Sequence, residues 1–132
     1  MTPEEARSTF LRQPHVILAT ADASGVPHLV PVVFATVGEQ LALVVDHKPK
    51  RSTDLKRLRN IAANPHVCLL AEHYADDWSA LWWARADGTA CVSALTPPVL
   101  AALQARYPQY RQTPPDGPAV AVTVAKWSGW SA

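Results

Sequence analysis

The residues with the clearest chemical meaning in this sequence form one short basic segment. Residues 48–59 hold six cations and one acid, so the segment carries +5 although the 132-residue chain carries only +1. The six cations are Lys48, Lys50, Arg51, Lys56, Arg57 and Arg59. A helix is expected to begin here, capped by Ser52 or Thr53, and a helix N-terminus stabilises anions but not cations. Because arginine grips phosphate through two nitrogens and lysine adds a point charge, we expect a phosphate site rather than a solvated helix face.

Other residue constellations that support catalysis are missing from the sequence. The five histidines form no His-x-x-x-His pair, and His66-x-Cys68 offers too few ligands for a metal. There is no Gly-x-Ser-x-Gly, and Cys68 and Cys91 fall within expected strands, where we expect buried thiols. Asp76 and Asp77 are adjacent in an expected loop, which is typical of a solvated turn. The sequence therefore predicts no metal site and selects no catalytic residue.

Five tryptophans are the second unusual feature of the chain. Trp82 and Trp83 are consecutive on an expected strand, so their rings should point to opposite faces. One ring can fill the core, and the other is expected either at a subunit interface or over a planar ligand. The sequence supports these two alternatives equally.

The rest of the sequence predicts the elements that hold these residues in place. Expected helices cover residues 2–12, 53–63 and 97–107, and Thr2 with Glu5 gives the first a capping box. Expected strands cover residues 15–21, 28–36, 41–46, 66–73, 78–86, 89–95 and 118–127, with an irregular proline-rich loop at 108–118. We expect the first three strands to form an antiparallel meander and Asp87-Gly88 to be the turn of a hairpin. Pro31 should lie on an edge strand or beside a bulge, because proline donates no ladder hydrogen bond.

This alternation of short strands and helices predicts one barrel-like, mostly β domain of the α+β class over residues 1–132. Hydrophobic residues make up 48% of the chain and charged residues 17%, which is typical of a globular protein. No apolar run approaches the roughly 20 residues of a membrane span, and the N-terminus lacks a signal-peptide core. With only two cysteines, a disulfide scaffold is excluded and a cytoplasmic location is expected.

Three segments of the sequence, residues 19–22, 25–33 and 57–67, resemble the pyridoxamine 5′-phosphate oxidase-like split β-barrel superfamily. The second contains Gly25-x-Pro27, and the third runs from Arg57 through Asn60 to the Asn-Pro-His of residues 64–66. Residues 45–51, 77–88 and 127–130 are similar to a branch of coenzyme F420-dependent oxidoreductases. The resemblance covers nearly the whole chain.

The resemblance implies a homodimeric split β-barrel, FMN-binding-like, with six to seven mainly antiparallel strands and two to three helices. It implies a flavin-like cofactor at the subunit interface, with its ring along the strand after Gly-x-Pro and its phosphate on the basic segment. Carried onto this sequence, the cofactor-binding residues are Val30, Pro31, Val32, Lys48, Lys50, Arg51, Lys56, Arg57, Asn60 and Trp78. The loop before the second helix is longer here than in generic members, which leaves the phosphate contacts within residues 48–57 open.

The function implied is F420-dependent oxidoreduction, in which a hydride passes between reduced deazaflavin and a small conjugated organic substrate. One alternative keeps the fold and takes FMN, as a pyridoxamine 5′-phosphate oxidase-like protein would. Six cations exceed the need of one phosphate, which favours the longer anionic tail of F420. A second alternative is a non-catalytic F420 carrier or anion-binding module. Binding of nucleic acid is disfavoured, because the other 120 residues carry −4 and the pI is about 7.9.

Overall fold

The structure is a computed structural model that describes residues 1–45 and 55–132. Its strands are β1 (Val16–Ala21), β2 (Pro27–Val32), β3 (Ala35–Val37), β4 (Gln40–Val44), β5 (His66–His73), β6 (Trp82–Ser93) and β7 (Ala119–Ser131). Its helices are α1 (Pro3–Leu11), α2 (Lys56–Ala63), α3 (Pro97–Arg106) and α4 (Pro108–Gln112), and a 3-10 turn covers Trp78–Ala80.

All seven strands belong to one antiparallel sheet with the order β2-β1-β5-β6-β7-β4-β3. The two edge strands, β2 and β3, are separated in sequence only by Val33 and Phe34. A seven-stranded sheet can bring its two edges that close only by rolling up, with a split where the edges meet without pairing. The predicted mostly β split barrel is confirmed.

The predicted meander of the first three strands is wrong. Residues 28–36 do not form one strand, because the chain leaves β2 after Val32 and crosses to the opposite edge of the sheet. There Ala35–Val37 pairs with β4, and β4 pairs with β7 rather than with β2. The edge position expected from Pro31 is confirmed, since β2 pairs with β1 alone.

The predicted hairpin at Asp87-Gly88 is also wrong. β6 runs unbroken from Trp82 to Ser93, and a β-bulge lies at Asp87 and Gly88. The glycine serves close approach rather than a turn, because a Cβ on Gly88 would collide with the backbone carbonyl of Thr123 on β7. Reading Asp-Gly as a turn therefore divided one long strand into two.

The first helix agrees with the prediction, and the later helices differ from it. The capping box of α1 is confirmed: Thr2 Oγ1 accepts the Glu5 N–H at 3.1 Å, and Glu5 accepts the Thr2 N–H at 3.2 Å. Helix α2 begins at Lys56, three residues later than expected, and its N-cap is Leu55 without a side-chain cap. The expected caps Ser52 and Thr53 lie outside the described residues.

A fourth helix, α4, occupies the start of the stretch that was expected to be an irregular loop. Its first residue is Pro108, and proline is favoured at the first position of a helix. Two neighbouring side chains attach this part of the chain to the strand edge. Arg106 Nη1 donates to the Phe34 carbonyl at 2.9 Å, and the Tyr107 hydroxyl accepts the Phe34 N–H at 3.2 Å.

The main core fills the inside of the rolled sheet. Phe10 of α1 packs edge-on against Trp127, with ring centroids 5.1 Å apart, and lies 5.1 Å from the Phe34 ring. Leu58 and Ile61 bring α2 into the same cluster. Helices α1 and α2 therefore pack on the inner face of the sheet, and a smaller cluster around Leu103 packs α3 and α4 outside β3.

Candidate functional site

A cavity of about 580 Å³ lies between the edge strand β2, the end of β4, the start of α2 and helix α4. Its apolar walls consist of Leu18, Val30, Pro31, Val32, Val33, Leu43, Val44, Val45, Leu58 and Val120. This volume is within the range of small-molecule and cofactor pockets, and mostly apolar walls with a few polar groups are typical of them. The cavity is therefore the candidate functional site.

Polar side chains enter the cavity from two elements attached at different ends of β1. Arg57 comes from α2, whose residue Asn60 is bonded to Thr20 near the end of β1. Tyr107 and Gln109 come from α4 and the residue before it, where the Tyr107 hydroxyl donates to the Pro14 carbonyl just before β1, at 2.9 Å. The cavity thus combines one cationic side chain and several uncharged polar ones with mostly apolar walls.

The start of α2 is the positively charged part of the described site. Lys56 and Arg57 are its first two residues, and its first turn contains no acid and no side-chain cap. Lys56 lies close enough to Asp22, in the β1–β2 turn, to help lower the pKa of that carboxyl. The larger cause of the lowered pKa is the Val26 N–H, which Asp22 accepts at 3.0 Å. An anion would complete this helix end, because unpaired N–H groups and cations both favour it.

Asn60 fixes the helix rather than facing the cavity. It is 3% exposed, and its Nδ2 donates to Thr20 Oγ1 at 3.0 Å, where Thr20 is also 3% exposed. This buried bond joins α2 to β1, so it sets where Arg57, one turn earlier, meets the cavity. The structure gives Asn60 a positioning role that the sequence comparison did not suggest.

The structure brings together four of the ten residues expected to bind a cofactor. Val30, Pro31, Val32 and Arg57 line the one cavity. Lys56 is exposed beside it, and Asn60 lies behind α2. Lys48, Lys50 and Arg51 lie outside the described residues.

Trp78 does not join this group within the chain. It is 69% exposed in the 3-10 turn before β6, and it is not part of the cavity wall. The strand register explains the separation: Trp78 precedes the start of β6, whereas Val120 of β7, which lines the cavity, pairs with Val92 near the far end of β6. Any contact of Trp78 with this cavity would have to come from a second copy of the chain.

Sequence reasoning missed four polar or aromatic lining residues: His15, Tyr107, Gln109 and Tyr110. Gln109 and Tyr110 belong to α4, in the stretch that was predicted to be a loop, and Tyr107 was predicted only as the last residue of the third helix. The available signal was Pro108 followed by residues without turn character up to Gln112. His15 carried no signal of its own, because a histidine just before a strand is common.

The outer face of the sheet carries apolar side chains that no helix of the main core covers. Leu29 is 65% exposed and Trp130 47% exposed on this face. Trp83 lies opposite Trp130, so the paired tryptophans point as expected, with Trp82 packed on the core and Trp83 outward. Arg85 and Asp87 form an ion pair at 2.9 Å on the same face.

The two cysteines behave differently from one another. Cys68 is partly buried on the outer face, and burial, followed by the charge of Asp87, raises the pKa of its thiol. Cys91 is exposed, so the expectation that both thiols are buried is wrong. In residues 1–45 and 55–132, no cluster of three or more His, Cys, Asp or Glu could hold a metal ion. None of the helices in these ranges is long and apolar enough to cross a membrane.

Comparison with known proteins gives one family and many similar folds. The sequence profile of the family described as Pyridoxamine 5′-phosphate oxidase matches residues 2–131. A comparison with curated protein sequences gives no match.

Solved structures share the fold at low sequence identity. HutZ, a heme storage protein from Vibrio cholerae, is 19% identical with a TM-score of 0.71, over 99% of this chain and 95% of that one. An FAD-binding protein from Mesorhizobium loti is 16% identical with a TM-score of 0.73, over 98% of this chain and 94% of that one. An FAD-binding protein from Mycobacterium smegmatis is 16% identical with a TM-score of 0.67, over 98% and 95%. At these identities the similarity establishes the fold alone.

Proposed function

This chain belongs to the pyridoxamine 5′-phosphate oxidase family, and on that premise we propose that it is an F420-dependent oxidoreductase. It would pass a hydride between reduced F420 and a small conjugated organic substrate. The observation that carries the proposal is the shared cavity of Arg57 with the β2 wall of Val30, Pro31 and Val32. That arrangement offers an apolar surface for a planar ring next to a cation for an anionic tail.

The residues of the cavity fit such a cofactor. Mostly apolar walls favour a ring system over water, and about 580 Å³ is enough for a ring of this size. The cationic side fits a phosphate, and residues 48–59 carry six cations, which one phosphate does not require. The surplus favours the multiply charged tail of F420 over the single phosphate of FMN.

The chain's own residues would bind, orient and exclude water. When bound, reduced F420 supplies the hydride from C5 of its deazaflavin ring. Val30, Pro31 and Val32 would lie against the ring and keep water from that side. Arg57 and Lys56 would hold the anionic tail at the start of α2, and the Asn60–Thr20 bond would keep that helix fixed to β1, the neighbour of β2. No side chain needs to act as a nucleophile.

FMN is the second candidate cofactor. It is favoured by the family itself, and two structures of the same fold are named as binding FAD, another flavin. The third candidate is a non-catalytic carrier, which needs the same cavity but no substrate. Cofactor titration separates the first two, and turnover separates both enzymes from the carrier.

The test is a titration of the purified protein with F420, FMN and heme in parallel, followed by quenching of tryptophan fluorescence. We expect F420 to bind at micromolar concentration or tighter, and more tightly than the other two. Arg57→Ala should weaken F420 binding about tenfold or more, since a charge-assisted contact is lost. Arg59→Ala is the matched control, because Arg59 has the same charge on the same helix but is exposed and does not line the cavity.

Each other outcome has a definite meaning. Tighter binding of FMN would reassign the cofactor, and tighter binding of heme would remove the flavin-type enzyme from consideration. Equal losses in Arg57→Ala and Arg59→Ala would show that only net charge matters, and would sink the assignment of Arg57. F420 binding without oxidation of reduced F420 by any quinone or nitro compound would favour the carrier.

We also propose that the protein is a homodimer joined through the outer sheet face. Leu29 of β2 and Trp130 of β7 are exposed there, while α1 and α2 cover the opposite face. The face balances Glu72 and Asp87 against Arg85 and Lys126, so two copies would not repel. Leu29→Asp should produce monomers in sedimentation, whereas Val92→Asp, an exposed valine off this face, should not. A monomeric wild type would refute the proposal.

A further inference from the structure

The cavity has a second polar side that the proposed cofactor contacts do not use. His15 stands just before β1 and Gln109 near the start of α4, and both line the same cavity as Arg57. Both residues are exposed. Within the part of the chain that the structure describes, no hydrogen bond or ion pair engages either side chain.

The backbone on this side is held firmly although these two side chains are free. The Tyr107 hydroxyl accepts the Phe34 N–H and donates to the Pro14 carbonyl, so it joins α4 to the residue before His15. Arg106 adds bonds to the Phe34 and Leu11 carbonyls at 2.9 and 3.2 Å. Polar groups on a fixed backbone are pre-organised to bind a ligand, since little order is lost when they do.

The chemistry of the pair differs from that of the α2 side. An imidazole and an amide can each hydrogen-bond an oxygen atom without the fixed charge of a guanidinium, so they suit a neutral oxygen-bearing group rather than a phosphate. Arg57, attached near the other end of β1, suits the anionic tail. The two kinds of polar group thus come from elements that are anchored at different ends of β1.

We propose that His15 and Gln109 are specificity-determining residues that hydrogen-bond the oxygen of a neutral conjugated substrate, such as a quinone carbonyl. This inference rests on the proposed function, since it assumes that the α2 side holds the cofactor. It names the substrate class as planar, uncharged and oxygen-bearing. The pair orients this substrate, and no proton transfer is assigned to it.

The test compares substrate and cofactor binding in the same variants. His15→Ala and Gln109→Ala should each raise the KM for menadione about tenfold, the loss expected for one hydrogen bond, and change kcat less. Their affinity for F420 should stay within about twofold of wild type, because they do not hold the tail. Turnover of methylene blue, an acceptor without oxygen, should be unaffected.

Each control changes a residue of the same type at a position that does not line the cavity. Gln112→Ala alters an exposed glutamine at the other end of α4, and His66→Ala alters an exposed histidine on β5, and neither lines the cavity. Both should leave the KM for menadione unchanged. Unchanged KM in His15→Ala and Gln109→Ala, or an equal effect on methylene blue, would overturn the inference. A selective loss of F420 affinity would do the same, since it would make these residues cofactor contacts.

Failure of the proposed function is recognisable separately. If wild type binds no F420, menadione is titrated directly into the protein and followed by tryptophan fluorescence. A dissociation constant that rises about tenfold in His15→Ala but not in His66→Ala supports the inference without the cofactor. Absence of menadione binding, or equal constants in the two variants, refutes it.

Discussion

The buried bond between Asn60 and Thr20 should contribute measurably to stability. Nδ2 and Oγ1 are 3.0 Å apart and both residues are 3% exposed, so water cannot replace a lost partner. Thr20→Val keeps the side-chain shape but leaves the Asn60 amide unpaired, which costs about 1–3 kcal/mol of unfolding free energy. For a domain of this size, 2 kcal/mol corresponds to roughly 6–10 °C in Tm. Urea unfolding followed by tryptophan fluorescence gives the free energy directly.

The sheet contains a matched control for this bond. Gln40 Nε2 donates to Thr123 Oγ1 at 3.1 Å, which is the same amide-to-hydroxyl chemistry at an exposed site. Thr123→Val should cost no more than about 0.5 kcal/mol, because water takes the place of the hydroxyl. In a double-mutant cycle, Thr20→Val and Asn60→Ala should be less than additive by about 1 kcal/mol. Equal costs at the two threonines, or an additive cycle, would refute the argument that this bond holds α2 to β1.

Three further predictions concern single positions. Thr2→Ala removes the acceptor of the α1 capping box and should cost about 1 kcal/mol in thermal unfolding, and an unchanged Tm would contradict it. Gly88→Ala forces a Cβ against the Thr123 carbonyl and should lower the free energy of unfolding by about 1–3 kcal/mol in urea. An unchanged free energy would contradict the close approach of the two strands. Asp22 has a pKa below its ordinary 3.8, so its carboxylate stabilises the fold above that pH and loses the effect as pH falls through the lowered pKa. The stability difference between wild type and Asp22→Asn should therefore be present at pH 7, begin to shrink near pH 3.8 and disappear below the lowered pKa, and a difference that grows on acidification would contradict this sign.

Local signals in the sequence predicted the parts of the fold that local chemistry determines. The α1 capping box depends on residues three apart, and Pro31 excludes its own strand from the sheet interior, so both were predictable. The crossing from β2 to β3 was not predictable, because it depends on which edge of the sheet each strand joins, and no turn signal interrupts residues 32–36. The turn prediction at Gly88 was wrong for a similar reason: in the sequence, a glycine that permits close approach of two strands looks the same as one that permits a turn.

Only those site residues that belong to a sequence motif were predictable. The basic segment and the Gly-x-Pro strand indicated Arg57 and the β2 wall, which the structure brings into one cavity. His15 and Gln109 are 94 positions apart and meet only because Tyr107 ties α4 to Pro14. Neither residue type nor spacing encodes that meeting.

The prolines of β2 explain why a cavity can exist at this edge of the sheet. Pro27, Leu29 and Pro31 alternate along β2, and two of these three positions have no N–H to donate. A proline is tolerated only where its strand needs no N–H donor toward the neighbouring strand. The backbone nitrogens of these three residues must therefore point away from β1. The free edge therefore presents few donors, and a further strand cannot pair with it. The rolled sheet stays split beside Val30 and Val32, and the space between β2, β4 and α2 remains available to a ligand.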